Sequence, residues 1–309
     1  MVKGAWVFTV FLSFFLSCGD RPWPEAAERD PGTKGIRESI LAGTWYPGNG
    51  NELRRTIQGY LSRVKAPRPE GDLRGIIVPH AGYMYSGQVA AHAYHLLQGA
   101  GFTRMVLIGP SHRHRFRGVS ADLHQGYRTP LGTIPVDLDF ARKLLHAEGA
   151  RVRSVPEAHS REHSLEIQVP FLQVVLKDFH IVPLVMGEQD FETCSALAAV
   201  LGRLLQGDTK TLLLASTDLS HFHGDTEAKN LDLEFIRNVR EYDPQGLADS
   251  LFKGACEACG GGPTIATMIA ARALGADRAE ILQYATSGGV TGNRTEVVGY
   301  LSAALMKGK

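Results

Sequence analysis

The sequence has little net charge, few cysteines and no apolar run long enough to cross a bilayer comfortably. Lysine and arginine total 33 against 32 acidic residues, a net charge of +1. No long basic run is present, so the chain lacks the electrostatic footprint of a nucleic-acid-binding protein. Hydrophobic residues make up 44% and charged residues 21% of 309 residues, which is the composition of an ordinary globular protein.

Several catalytic signatures are also missing. There is no G-x-S-x-G nucleophile elbow, which argues against the catalytic triad of an α/β-hydrolase. Neither a Walker loop nor a G-x-G-x-x-G fingerprint follows a strand, which argues against nucleotide binding. The single CxxC pair, Cys256 and Cys259, has no second pair with which to build a zinc ribbon.

The N-terminus resembles an export signal. Lys3 precedes an apolar run over Ala5–Leu16, which suits the core of a signal peptide and is short for a transmembrane helix. The run ends in small residues before Cys18, as at a lipoprotein cleavage site, although Phe15 stands where leucine is usual. We therefore expect a leader over residues 1–17, lipid on Cys18, and an exported protein. It would be periplasmic or a membrane-anchored lipoprotein that touches the membrane only through its lipid.

Residues 18–35 are rich in proline and predict a flexible tether, followed by a folded domain over residues 36–308. With Cys18 lipidated, three cysteines remain, so at most one disulfide can form within the chain. Cys194 lies in an apolar helical pattern and is predicted to be a core residue.

Three buried strands are each followed by polar residues. The strands are predicted at Ile76–Val78, Met105–Ile108 and Thr211–Ala215. Ligands in open α/β sheets gather beyond the carboxyl ends of strands. The polar residues at those ends are His80, His112, Asp218 and His221. Strand–helix alternation along the chain predicts one α/β domain of three layers, α/β/α.

The segment after residue 155 predicts a helix capped by Ser160 and kinked by Pro170. On that interpretation His159 precedes the helix and is solvated. His163 faces the site with two neighbouring glutamates, although it could equally be a structural histidine in the core.

His80, His112 and Cys259 form a candidate metal-ligand set. Two imidazoles and a thiolate favour Fe(II), copper or zinc over magnesium or calcium. His221, Asp218 and His163 are the catalytic candidates. A carboxylate that orients an imidazole makes it a better base, so Asp218 would support His221, unless Asp218 simply caps the segment after its strand.

These motifs resemble the MEMO family, whose bacterial and archaeal members include AmmeMemoRadiSam system protein B. The resemblance runs in colinear order over residues 36–307. The segments that carry it are Val78–Tyr83, Tyr85–Gly87, Gly109–His112, Tyr127–Gly132, Glu162–Glu166, Ser216–Asp218 with His221, Cys259–Gly260 with Pro263, Ala42–Tyr46, Val290–Gly292 and Val298–Tyr300.

The resemblance implies the fold of LigB-type class III extradiol dioxygenases, with a mixed sheet between helical layers. It implies metal binding at His80, His112 and Cys259, with His221 as the base. The dioxygenases use a carboxylate where Cys259 stands, which puts ordinary ring cleavage in doubt. Family association also suggests an AMMECR-type partner, and eukaryotic members are associated with phosphotyrosine peptides.

We therefore expect metal-dependent redox or dioxygenase-like chemistry on a small, possibly aromatic substrate. The basic run over His112–Arg117 is the expected rim of its pocket. The alternative is a non-catalytic metal carrier or peptide-binding protein that uses the same pocket. A zinc hydrolase is a third hypothesis. In an exported protein, a disulfide between Cys256 and Cys259 would switch the metal site off.

Overall fold

Short runs of β-branched and aliphatic residues form the central strands of the computed structural model, which describes residues 34–308. The strands are β1 (Lys34–Arg37), β2 (Asp72–Val78), β3 (Arg104–Pro110), β4 (Val119–Ala121), β5 (His124–Thr129), β6 (Gly132–Pro135), β7 (Val152–Arg153), β8 (His180–Met186), β9 (Thr211–Ser216), β10 (His221–His223), β11 (Arg278–Thr286) and β12 (Val297–Lys307).

Amphipathic segments between these strands form the helices. The helices are α1 (Gly50–Arg63), α2 (Tyr83–His95), α3 (Leu138–Leu145), α4 (Pro156–Ser160), α5 (Val169–Val175), α6 (Phe191–Leu204), α7 (Asp225–Arg240), α8 (Pro244–Phe252), α9 (Gly261–Ala273) and α10 (Gly288–Thr291). A short 3-10 turn over Glu166–Gln168 leads into α5.

The main sheet is mixed, as the resemblance implied. Its strand order is β10-β12-β2-β9-β3-β8-β4-β7, with β11 paired to β12. The inner strands β2, β9, β3 and β8 run parallel, whereas β12 is antiparallel to β2 and β4 is antiparallel to β8. A smaller sheet has the order β1-β5-β6. The parallel strands therefore present their carboxyl ends at one edge of the main sheet.

Both faces of the main sheet are covered by apolar side chains. In β2, Ile77 belongs to one hydrophobic cluster, and Ile76 and Val78 belong to the other. In β3, Val106 and Leu107 likewise point to opposite clusters. Because successive strand residues face opposite sides, this alternation confirms a sheet between two helical layers.

The segment after residue 155 differs from the helix that the sequence predicts. Pro156 starts the short helix α4, which ends at Ser160, and irregular backbone follows. Pro170 does not kink a helix, because it lies in the first turn of α5. The expectation that His159 is solvated is wrong: it lies in α4 with a relative exposure of 1%.

The predicted leader over residues 1–17 and most of the predicted tether lie outside the described residues. Lys34 and Gly35, which the sequence assigns to the tether, already belong to β1, which pairs with β5. Between residues 34 and 308, no helix combines the length and the apolar composition that a membrane span requires.

Candidate metal centre

Three histidine side chains meet at the edge of the sheet where the parallel strands end. One ring nitrogen from each of His80, His112 and His163 lies within 4.8 Å of the other two. The rings of His112 and His163 are stacked, with their centroids 4.3 Å apart. His80 meets both rings edge-on, with centroid distances of 5.1 and 5.3 Å. These residues could together hold a metal ion.

Strand order brings the first two histidines together. His80 follows β2 and His112 follows β3, and β9 lies between these two strands. The two strands that precede these histidines are therefore not direct neighbours. They still converge because each side chain reaches across the end of β9, where Ser216 and Asp218 lie.

Glu162 holds the other side of the centre through one carboxylate. Its Oε2 accepts a hydrogen bond from the backbone N of His112 at 2.7 Å. Its Oε1 contacts Nδ1 of His112 at 2.9 Å and Nδ1 of His163 at 3.4 Å. It also accepts from the backbone N atoms of His163 and Ser164, both at 2.9 Å. For His112, a carboxylate hydrogen-bonded at Nδ1 fixes the tautomer and leaves Nε2 as the ligand atom.

This environment keeps Glu162 ionised. Burial alone would raise the pKa of the Glu162 carboxyl, but the hydrogen bonds and charge of His112 and the backbone donors bring the pKa down to about 2. His163, by contrast, is kept neutral. Its burial lowers the pKa of the imidazole to about 4, and the positive charge of nearby Arg113 acts in the same direction. A neutral imidazole is the form that binds a metal.

His80 is fixed from three directions. Its backbone N donates to Oδ1 of Asp218 at 2.7 Å, and its Nδ1 contacts Oγ of Ser216 at 3.0 Å. Its Nε2 lies 3.0 Å from Sγ of Cys259. Burial lowers the pKa of His80 well below its usual value, and His112 and His163 add to the effect. His80 is therefore also held in the neutral form.

Cys259 lies beside His80, at the turn that leads into α9. Its Sγ accepts a hydrogen bond from the backbone N of Asp218 at 3.3 Å. Burial raises the pKa of the Cys259 thiol, so without a metal the sulfur carries its proton. Cys256 and Cys194 are also free thiols, and Cys194 is fully buried, which confirms that it is a core residue.

A cavity of about 450 Å³ opens above the histidines. Its walls are largely aromatic and its floor is polar. The residues that line it are Trp45, His80, Ala81, Gly82, Tyr85, His112, His163, Asp218, His221, Val298 and Tyr300. The ring of Trp45 packs on His163 with a centroid distance of 4.8 Å. The predicted metal-site and catalytic histidines therefore face one aromatic pocket.

A second cavity of about 490 Å³ lies behind the first. His221 lines both cavities, and Cys259 lines the second. His80, whose Nε2 contacts Cys259 Sγ, lines the first cavity. His221 is therefore shared by the two cavities, and the thiol lies on the side of the second.

Asp218 and His221 share the pocket but not the contact that the sequence suggested. Among the hydrogen bonds of residues 34–308, none joins the Asp218 carboxylate to the His221 ring; Asp218 instead holds the backbone of His80. Burial raises the pKa of Asp218 to about 7. Burial also lowers the pKa of His221. Their catalytic roles stay predictions.

The donor set suits a transition metal. Three imidazoles present nitrogens to a common point, Glu162 bonds to the ring of one and to the backbone of another, and a thiol lies against the third. These are ligands for iron, copper or zinc rather than for magnesium or calcium. Sequence reasoning missed that one carboxylate serves two histidines, and it missed the aromatic wall of Trp45, Tyr85 and Tyr300.

Comparisons with known proteins agree with these motifs. Residues 37–304 match the family model described as Memo-like protein. A MEMO1 family protein of Methanopyrus kandleri is 35% identical over 282 residues, which cover 88% of this chain and 99% of that protein. A MEMO1 family protein of Methanosarcina mazei is 38% identical over 271 residues, covering 86% of this chain and 97% of that protein. The crystal structure of an uncharacterized Escherichia coli K12 protein gives a TM-score of 0.48 at 15% identity, covering 75% of this chain and 99% of that one.

Proposed function

The chain belongs to the Memo-like protein family, and from that premise we propose that it is a metal-dependent redox protein with dioxygenase-like chemistry on a small aromatic substrate. In this proposal His80, His112 and Cys259 bind the metal and His163 supplies a third imidazole. The observation that carries the proposal is the meeting of three imidazoles at the floor of an aromatic cavity.

Iron or copper fits this donor set best. Imidazole suits both metals, and the thiol of Cys259 favours them over harder ions. When bound, such a metal supplies one-electron and oxygen chemistry that side chains cannot provide. The role of Glu162 is to orient the His112 imidazole with its Nε2 free and to hold the backbone that carries His163.

The pocket indicates the kind of substrate. Trp45, Tyr85 and Tyr300 offer flat surfaces on which an aromatic ring can stack. Arg113 lies close enough to influence the pKa of His163, so its guanidinium can attract an anionic group at the rim. A catechol or a phenolic acid matches both features.

Two residues in the pocket can move protons. The lowered pKa of His221 leaves its imidazole free to accept a proton from a phenolic hydroxyl at neutral pH. Asp218, with its pKa at about 7, can hold or release a proton near neutrality. Neither role requires contact between the two side chains.

Metal analysis followed by oxygen uptake tests the proposal. Protein purified without chelators is analysed for iron, copper and zinc, and oxygen consumption is then measured with catechol and with 3,4-dihydroxybenzoate. We expect substoichiometric or full loading with iron or copper and catechol-dependent oxygen uptake. His80→Ala should abolish both, whereas His146→Ala, which changes an exposed histidine, should change neither.

A non-catalytic metal carrier is the second candidate. It is favoured by the absence of a carboxylate among the three-histidine group and by the thiol beside it, a combination that suits Cu(I). Tight, stoichiometric metal binding without oxygen uptake would support the carrier. Zinc in the protein with esterase activity would support a hydrolase. Wild-type protein that binds none of the three metals would refute the whole proposal.

A further inference from the structure

The backbone that carries His163 has little regular structure of its own. α4 ends at Ser160, and the 3-10 turn does not begin until Glu166. The five residues between them supply Glu162 and His163 to the metal centre. Irregular backbone holds its position only when its polar groups find partners elsewhere. The question is therefore what fixes this loop.

Arg37, more than 120 residues earlier in the chain, bonds to the loop and to the residues on either side of it. Its Nε donates to the carbonyl O of His159 at 2.9 Å, and its Nη2 donates to the carbonyl O of Glu162 at 2.7 Å. Its Nη1 donates to Oε2 of Glu166 at 2.6 Å. One planar guanidinium thus bonds to the residues before, within and after the loop. Only arginine has donors in such a fork.

Glu166 extends the same connection to the N-terminal segment. Its carboxylate accepts further hydrogen bonds from donors that all lie within ten residues of Arg37: Ser39 Oγ (2.7 Å), Ile40 N (3.0 Å), Leu41 N (3.0 Å) and Tyr46 Oη (2.9 Å). The side chains of Arg37 and Glu166 are only 4% and 1% exposed. A charge pair this buried needs further hydrogen bonds to offset its desolvation, and here both partners make several.

The N-terminal segment also touches the centre directly. Trp45 packs on the His163 ring, and its carbonyl O accepts a hydrogen bond from the backbone N of Tyr83, three residues after His80. The segment 37–46 therefore contacts both sides of the metal centre.

We propose that Arg37 is a positioning residue of the metal centre, which fixes Glu162 and His163 through its hydrogen bonds to Glu162 and to the residues on either side of the loop that carries them. The inference rests on the proposed metal function, because it assigns Arg37 a role toward that metal. It adds a residue distant in sequence, located in β1, that no ligand motif contains.

Arg37→Lys separates positioning from simple charge burial. Lysine keeps a positive charge for Glu166, but its single nitrogen cannot reach all three acceptors. Arg104→Lys is the matched control, because Arg104 likewise donates to more than one acceptor, here the carboxylates of Asp137 and Asp208. Arg104 begins β3, so about 20 Å of strand separates it from the end of the sheet where the site lies.

Two measurements are made on each variant. The first is the affinity for Co(II), from competition with a chelator and from the visible absorption of the bound ion. The second is hydrogen exchange of the backbone amides over residues 159–166 in metal-free protein. We expect Arg37→Lys to weaken Co(II) binding about 10-fold, to change the absorption spectrum and to speed exchange in this loop. We expect the Co(II) affinity of Arg104→Lys, measured by the same competition, to stay within about twofold of the wild type.

The results separate failure of the inference from failure of the function. If the wild type binds Co(II) and folded Arg37→Lys binds it equally well with unchanged exchange, Arg37 does not position the centre. Equal losses in both arginine variants would also overturn the inference. If the wild type binds no metal, the proposed function fails, but faster loop exchange in metal-free Arg37→Lys would still support the positioning role. Should Arg37→Lys fail to fold, Glu166→Gln replaces it, because glutamine keeps an oxygen for the N-terminal donors while it loses the charge that holds Arg37.

Discussion

Replacing Glu162 with glutamine should weaken metal binding while the protein stays folded. The carboxylate accepts four hydrogen bonds of 2.7 to 2.9 Å, from two atoms of His112 and from the backbone N atoms of His163 and Ser164. A glutamine can place its oxygen at the Oε1 position and keep three of them. Its amide nitrogen then faces the backbone N of His112, so a donor meets a donor.

The size of the effect follows from the loss of this hydrogen bond. A hydrogen bond to a charged group contributes about 1.5–3 kcal/mol. Loss of an outer-sphere partner of a metal-binding histidine typically lowers metal affinity about 10–100-fold, which is about 1.4–2.7 kcal/mol. The two ranges agree, so we expect Glu162→Gln to raise the dissociation constant for Co(II) or Zn(II) by about 10–100-fold.

The assay is competition against a chelator of known affinity, with thermal unfolding of the same samples. Glu188→Gln is the control, because Glu188 is a half-exposed carboxylate near the same edge whose only ion pair among the described residues is Arg117 at 3.9 Å. The metal affinity of Glu188→Gln should match that of the wild type. Unchanged affinity in a cooperatively folding Glu162→Gln variant would refute the assignment of Glu162.

Three further predictions concern other parts of the chain. Gly109→Ala would place a Cβ 2.6 Å from Oγ of Ser164, so it should destabilise the fold by about 1–3 kcal/mol and weaken metal binding. In the control Gly35→Ala the new Cβ meets no atom within 4 Å, so this variant should be neutral. Equal melting temperatures for the two variants would contradict the prediction. Burial lowers the pKa of His159, so the unfolded chain takes up a proton below about pH 6.5 that the folded chain resists, and stability falls as the pH drops through this range. When the unfolding midpoint is plotted against pH, His159→Asn should reduce the slope between pH 7 and 5. An unaltered slope would contradict this prediction. Intact-mass analysis of protein from the membrane fraction should find a lipidated N-terminus at Cys18, and a soluble full-length chain beginning at Met1 would contradict the export hypothesis.

The sequence reveals the parts of this site that depend on local patterns. His80 and His112 follow apolar strands, one of which ends just before Pro79 and the other at Pro110, and both prolines are visible in the sequence. The meeting of these two residues then follows from parallel pairing, which strand–helix alternation predicts. The mixed sheet was available only through the family resemblance, because β12 pairs with β2 across more than two hundred residues.

The parts that the sequence did not reveal depend on long-range polar contacts. The sequence predicted a helix capped by Ser160 and kinked by Pro170, but Arg37 bonds to the carbonyl groups of His159, just before the loop, and of Glu162, within it, and stabilises the irregular shape of the loop. Nothing in the periodicity near Arg37 indicates that it reaches a segment more than 120 residues away. For the same reason the burial of His159 was mistaken for exposure.

X-ray absorption of the metal-loaded protein tests the central claim most directly. We predict imidazole scattering together with one sulfur at about 2.3 Å, the usual metal–thiolate distance. Cys259→Ala should remove the sulfur, and His163→Ala should reduce the imidazole contribution. A spectrum of oxygen ligands alone, unchanged in His80→Ala, would show that the metal binds elsewhere and would contradict the account.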